Sequence, residues 1–399
     1  MADINVLIPV KSHVLAWARR SYGIDPQELA RVVKLKIVDG PTIENWEIND
    51  SEIPLRVVKK IAKAVKRPLA FFFLDQPPAG QIIPTNFRTL PEEKRVGKTI
   101  VLPTDALMAI RRARVAQQIF EQLVDDQEDN ASLVLRINTD IEPELEAHRI
   151  RQELSLDFSQ QRGVLDSRLM LKLWIKIIEG QGIVVQRDNV KIRTGFRGFC
   201  LLGSRGIPPI IFLSKDGSLN AQIFTLIHEY CHLLSQRSGL KIDQDSIIFE
   251  SDSKSIERYC NRFAAEFLVP KTDLLTQRVI QGIYDGAPAS YSGLQELARH
   301  FGVSKEVILI RMKELHIISE QTFDGLKEEI RYEPNGSSSA GFKHWDTHYF
   351  ESNGPLVVNV TFDAYHKGRI DTSELLSMLR INTKYLGVLE DKRQQYFSI

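Results

Sequence analysis

The stretch Ala221–Leu234 reads AQIFTLIHEYCHLL and contains His228, Glu229, Tyr230, Cys231 and His232, an H-E-x-x-H sequence in a run of helical character. Two His four residues apart on a helix point from one face and lie close enough to hold one metal ion. Glu229 follows the first His and swings aside, toward a water rather than toward the ion. Imidazoles that fix an ion, with a carboxylate that takes a proton from water, are the parts of a zinc peptidase. Ile223, Phe224, Leu226, Ile227, Leu233 and Leu234 are placed to bury most of the remaining surface. The His pair is then held against the core, where desolvated imidazoles need a partner.

Upstream, Ile207–Lys215 (IPPIIFLSK) reads as a short apolar strand followed by the turn-forming Asp216-Gly-Ser. An exposed edge of that strand would pair with an extended substrate. Downstream, Ser255–Pro270 (SIERYCNRFAAEFLVP) reads as a helix ended by proline. Glu257 is its candidate third ligand. Glu266 competes, but it lies about two and a half turns further along the helix and cannot share the ion. Two His and one carboxylate leave a fourth position for water, the catalytic arrangement. Such a set takes Zn2+, with Mn2+ or Fe2+ as alternatives.

Together these two runs resemble the ImmA/IrrE metallo-endopeptidases, which pair H-E-x-x-H with a Glu opening a later E-x-x-A-N-x-F-A-x-x-L-L-x-P helix. Gly195–Cys200 (GFRGFC) extends the resemblance. It implies a zincin-like core with a small sheet, metal ligands His228, His232 and Glu257, and Glu229 as general base. One departure is Cys260, where the family usually has Ala; a buried Cys behaves as a small hydrophobe. The resemblance also implies a narrow protein substrate, a helix-turn-helix repressor or antitoxin in stress, phage or mobile-element control.

At 399 residues the chain has room for two to four domains. A formal charge of +1 excludes a protein that is basic overall, though not a local basic patch. Three Cys are too few for a disulfide framework and fit a reducing compartment. Pro68–Leu74 is too short to span a membrane, and the first residues lack a signal-type pattern. A cytoplasmic protein is expected.

Residues 1–75 read as short helices at Val14–Arg20, Pro26–Val33 (capped by Asp25), Thr42–Glu47 and Leu55–Val65. Their order resembles an XRE-type helix-turn-helix domain with the third segment as recognition helix, offering Thr42, Glu44 and Asn45 to DNA. Glu44, Glu47, Asp50 and Glu52 oppose that use, because carboxylates near phosphates forfeit the electrostatic part of DNA affinity. Residues 76–102 read as a Pro-containing linker, and 103–276 as the peptidase domain, entered by a long helix at Asp105–Asp125.

Residues 277–330 form a second helix-turn-helix-like pattern. Val307, Ile310, Met312 and Leu315 are expected to face inward, leaving Lys305, Arg311 and Lys313 for phosphates. Residues 331–399 comprise a joint at Pro334–Gly341 and a small helical extension capped at Asp371 or Thr372. The expected fold is therefore α+β and mostly helical. The expected function is a zinc-dependent regulatory endopeptidase without a membrane partner. The competing reading is a DNA-binding regulator or antitoxin-like protein that uses the peptidase fold as a non-catalytic sensor.

Overall fold

The computed structural model describes residues 6–20, 24–33, 38–65, 67–77, 104–123, 135–156, 161, 166–190, 197–204, 206–235, 253–331 and 344–398. Residues 78–102 of the linker expected at 76–102, and the joint at 334–341, lie outside the described residues. The chain divides into two compact units, Met1–Ile83 with Glu92–Ile110, and Pro84–Pro91 with Arg111–Ile399.

The first unit holds α1 (Ser12–Arg20), α2 (Pro26–Val33), α3 (Gly40–Ile48) and α4 (Leu55–Ala64). All four lie within a residue or two of the expected spans at most termini. Local chemistry explains the boundaries: Asp25 accepts from the Glu28 N–H at 2.6 Å, and Asp39 caps α3 through the Thr42 N–H at 2.9 Å. Unanticipated from the residues are β1 (Leu7–Val10) and β2 (Ser51–Pro54), an antiparallel pair that closes the helices into one core. Ile8, Val14, Leu15, Leu29, Ile43, Ile53, Val57, Val58 and Ile61 fill that core.

The second unit is built on a sheet of β3 (Val184–Asp188), β4 (Gly198–Leu201) and β5 (Ile210–Ser214), in the order β3-β5-β4. β3 runs parallel to β5 with Val184 opposite Ile210, and β4 runs antiparallel with Gly198 opposite Leu213. Every residue of β4 and β5 is buried, which suits their unbroken apolar runs. This arrangement corrects the expected edge: the strand before the H-E-x-x-H helix is the middle one, paired on both sides. β3 and β4 are the outer strands instead.

The unit opens with the C-terminal part of α5 (Thr104–Leu123), then α6 (Pro143–Glu153) and α7 (Ser167–Glu179). The central helix is α8 (Leu219–Ser235), followed by α9 (Ser253–Leu268), and both are sheathed by apolar side chains. Short α10 (Lys271–Leu275) and α11 (Arg278–Tyr284) lead to α12 (Tyr291–Phe301), α13 (Lys305–Glu314) and α14 (Glu320–Arg331). One apolar cluster runs from Ile137 through α7, α8, α9, α12 and α13 to Leu326. Gly302 ends α12 at φ 67°, where an added Cβ would stand 2.9 Å from Met170 Cε, a turn only glycine makes without strain.

On α13 the inward face differs from expectation. Ile308, Leu309, Arg311 and Met312 are buried, while Ile310 is exposed. The cations expected to be open to phosphates are engaged inside the unit. Arg311 pairs with Glu266 of α9, Lys305 bonds the Tyr291 hydroxyl at 2.9 Å, and Lys313 pairs with Glu320 and lies over Phe323. Likewise Arg112 of α5 pairs with Asp188 and Arg114 bonds Gln117 at 2.8 Å, so these cations of α5 are also engaged within the unit.

The C-terminal extension comprises α15 (Trp345–Asn353), α16 (Pro355–His366), α17 (Thr372–Leu379) and α18 (Leu386–Phe397). Asp371 and Glu374 form a reciprocal capping box on α17. The extension covers the outer side of β3: Gln186 Nε2 donates to Asn353 O at 2.9 Å, and Glu351 takes Lys215 at 2.7 Å. No helix of the described residues is long and apolar enough to cross a membrane.

Candidate metal centre

α8 is buried on nearly all sides, so its polar residues are held by packing rather than by solvent. His228, Glu229 and His232 are each 1% exposed. The one-turn spacing brings His228 Nε2 and His232 Nε2 to 3.2 Å from one another. α9 packs alongside and delivers Glu257, with Oε2 3.3 Å from His228 Nε2 and Oε1 3.2 Å from His232 Nε2. Among the described residues these three are the group able to share an ion. Glu266, the competing ligand, is turned away to Arg311 and to the Lys271 N–H at 3.0 Å.

The donor atoms fit a metal. Ligands about 2.0–2.1 Å from a tetrahedral ion stand roughly 3.3–3.4 Å apart; the two Nε2 atoms are 3.2 Å apart, and each faces its own oxygen of the Glu257 carboxylate, at 3.3 and 3.2 Å. Burial pushes the Glu257 carboxyl up, but the two imidazoles outweigh it and hold the group far below the usual carboxylate range. It is therefore an anion facing two nitrogen donors. For His232, burial disfavours the charged ring, while Cys260, Glu257 and Glu229 favour it more strongly. Cys260 lies against that ring and beside Cys231, and all three Cys are buried thiols. Burial pushes the Cys260 thiol well up, as expected of a packing residue.

Glu229 sits where β4 meets α8. A Cβ built on Gly198 would lie 3.6 Å from Glu229 Cγ and 2.7 Å from Thr225 Cγ2, so glycine lets the outer strand approach the helix at the carboxylate. A bare glycine inside a short apolar run was the available signal for this, and β4 itself was not anticipated. Tyr230 points into the core beside Phe267, away from the ligand face, as the helix spacing suggests.

The end of α9 is held by side chains from three other parts of the unit. Arg151 Nη1 donates to Phe267 O at 2.7 Å, Gln161 Nε2 to Leu268 O at 2.8 Å, and Arg311 Nε to Val269 O at 3.4 Å. The last carbonyls of a helix lack internal partners, so these donors fix the helix that carries Glu257.

In the first unit, Thr42 donates to the Asp39 capping carboxylate from both its N–H and its hydroxyl. Glu44 accepts from Gln27 at 3.2 Å, and Asn45 from Asn49 at 3.0 Å. All three stand on α3, remote in sequence from the metal-binding group.

Residues 178–313 match the peptidase M78 family model, described as the IrrE N-terminal-like domain. No curated protein matches the chain at a significant level. The matched span holds His228, Glu229, His232, Glu257 and the sheet, and points to a metallopeptidase of the IrrE/ImmA type.

Proposed function

We propose that this protein is a zinc-dependent regulatory endopeptidase. The observation that supports the reading best is the cluster of His228, His232 and Glu257, in which the two Nε2 atoms are 3.2 Å apart and each lies 3.2–3.3 Å from one oxygen of the carboxylate. These three residues would hold the ion. When bound, zinc supplies Lewis acidity to a water and to the carbonyl of the scissile peptide. Glu229 takes the proton from the attacking water and delivers it to the departing amine nitrogen, as a general base and then a general acid. Its near-complete burial favours this role, since a carboxylate freed from bulk water is a stronger proton acceptor. β4, the outer strand beside Glu229, is the element on which an extended substrate would align.

The substrate we propose is a helix-turn-helix repressor or antitoxin, a reading that rests on the resemblance in sequence. The test compares protein N-termini in host cells carrying wild type or Glu229→Gln, before and after DNA damage. A terminus that arises only with wild type names the substrate and establishes the protease. Identical termini in both strains, with metal present in both proteins, would overturn the peptidase reading. They would favour the non-catalytic regulator.

A further inference from the structure

Charge in the first unit is segregated along the chain. Residues 37–55 contain Asp39, Glu44, Glu47, Asp50 and Glu52 but no Lys or Arg. Residues 53–74 contain Arg56, Lys59, Lys60, Lys63, Lys66 and Arg67 but no Asp or Glu. The fold treats the two sets differently.

Most of the acidic set is engaged internally. Asp39 caps α3, and Glu44 accepts from Gln27. Glu47 takes the Arg19 guanidinium at 2.5 and 2.8 Å. Asp50 takes Lys11 and the Ser12 N–H, both at 2.9 Å. On the basic side, Arg67 lies over the Trp17 ring at 4.6 Å. Arg56, Lys59, Lys60 and Lys63, in contrast, are exposed and make no hydrogen bond or ion pair with a described residue. Their spacing of three, four and seven residues puts them in one stripe on α4, opposite buried Val57, Val58, Ile61 and Ala62. Like charges at these spacings destabilise a helix, and an external polyanion removes that penalty.

We propose that this stripe binds the phosphate backbone of duplex DNA. It spans roughly 10 Å of helix, along which a duplex offers on the order of six phosphates. It carries only Lys and Arg. Asn and Gln, the side chains that read adenine, are absent from it. DNA is thereby assigned to α4 rather than to α3, where Glu44 stands beside Thr42 and Asn45.

The test is fluorescence anisotropy of the full chain with a short labelled duplex of arbitrary sequence, over a series of salt concentrations. Four phosphate contacts give a slope of log K against log salt of about −3.6. Lys59→Glu/Lys60→Glu should reduce the slope by about half and weaken binding about tenfold or more at low salt. Thermal melting should not fall, because these side chains are exposed and the reversal replaces like-charge pairs on α4 with opposite-charge pairs. The neutral variant Lys59→Gln/Lys60→Gln should fall between the two.

An unchanged slope in both variants overturns the proposal. So does a comparable loss from Glu44→Gln/Asn45→Ala with the stripe intact, which would return the contact to α3. Polyglutamate binding as tight as DNA would make the stripe a general anion surface. Salt-sensitive self-association without DNA binding would assign it to a second copy of the chain. None of these outcomes depends on metal content or cleavage, so the peptidase reading stands or falls separately.

Discussion

His228 and His232 present their Nε2 atoms to each other at 3.2 Å inside a buried helix. Two neutral rings meeting through these atoms can satisfy only one lone pair, whereas a cation between them satisfies both. Zinc content after exhaustive desalting should therefore be near one per chain for wild type and near zero for His228→Ala/His232→Ala. Glu257→Gln, which keeps an oxygen but loses the charge, should retain a weakened site. Chelation should lower the melting temperature of wild type and leave the double variant unmoved, because an ion that binds only the folded state stabilises it by mass action. Full zinc occupancy in the double variant would remove these residues from the metal.

Arg311 is 2% exposed in its side chain, and its counter-ion Glu266 is 11% exposed. Burial lowers the Arg311 pKa, and Glu314 only partly offsets that effect. Breaking such a pair leaves one charge without compensation, at a cost of about 3–5 kcal/mol. Arg311→Met should lower stability to urea by that order. Arg311→Met/Glu266→Gln should recover most of the loss. A single variant costing less than about 1 kcal/mol would show that the pair is no more than an exposed one.

Legibility in the sequence followed locality. The H-E-x-x-H spacing, the Glu257 helix and the cap at Asp25 depend on residues within a few turns of each other and lie where expected, and of the two cap candidates Asp371 and Thr372 the helix uses Asp371. What failed was decided by distant pairing. β1 and β2 are four residues each and meet across more than forty positions, so neither shows a periodicity of its own. The apolar run at β5 announced a strand but not its central place, which depends on β4 and β3 arriving on either side. Arg311 was misread for a different reason. It shares the face of Ile308 and Met312, and only the approach of Glu266 from α9 makes a buried cation tolerable there.

Gly198 gives a contrast between two glycines. An added Cβ would stand 2.7 Å from both Phe212 O and Thr225 Cγ2, so β4 would have to leave either its partner strand or α8. Gly198→Ala should cost about 1–3 kcal/mol by overpacking and should lower cleavage, since Glu229 lies on the same contact. Gly325, within α14, has nothing within 4 Å of its added Cβ. Gly325→Ala should be neutral or stabilise by up to about 1 kcal/mol through helix propensity. Equal effects of the two substitutions in chemical denaturation would refute the close approach.

Glu179 is 6% exposed and accepts the Tyr396 hydroxyl at 2.6 Å, joining α7 to α18. Burial raises its carboxyl to about 8, against weaker lowering by Tyr396, Lys176 and the Val185 backbone. The sign of the linkage follows directly. Between the ordinary carboxylate range and pH 8 the folded state keeps a proton that the unfolded chain has released, so stability falls as pH rises through that window and levels off above it. Glu179→Gln keeps an acceptor for Tyr396 but cannot ionise. Melting temperatures of wild type should decline from pH 5 to pH 8 relative to this variant, by an amount reaching on the order of a few kcal/mol in stability. Parallel curves for the two proteins would mean that Glu179 titrates normally and that the junction between α7 and α18 is open to water.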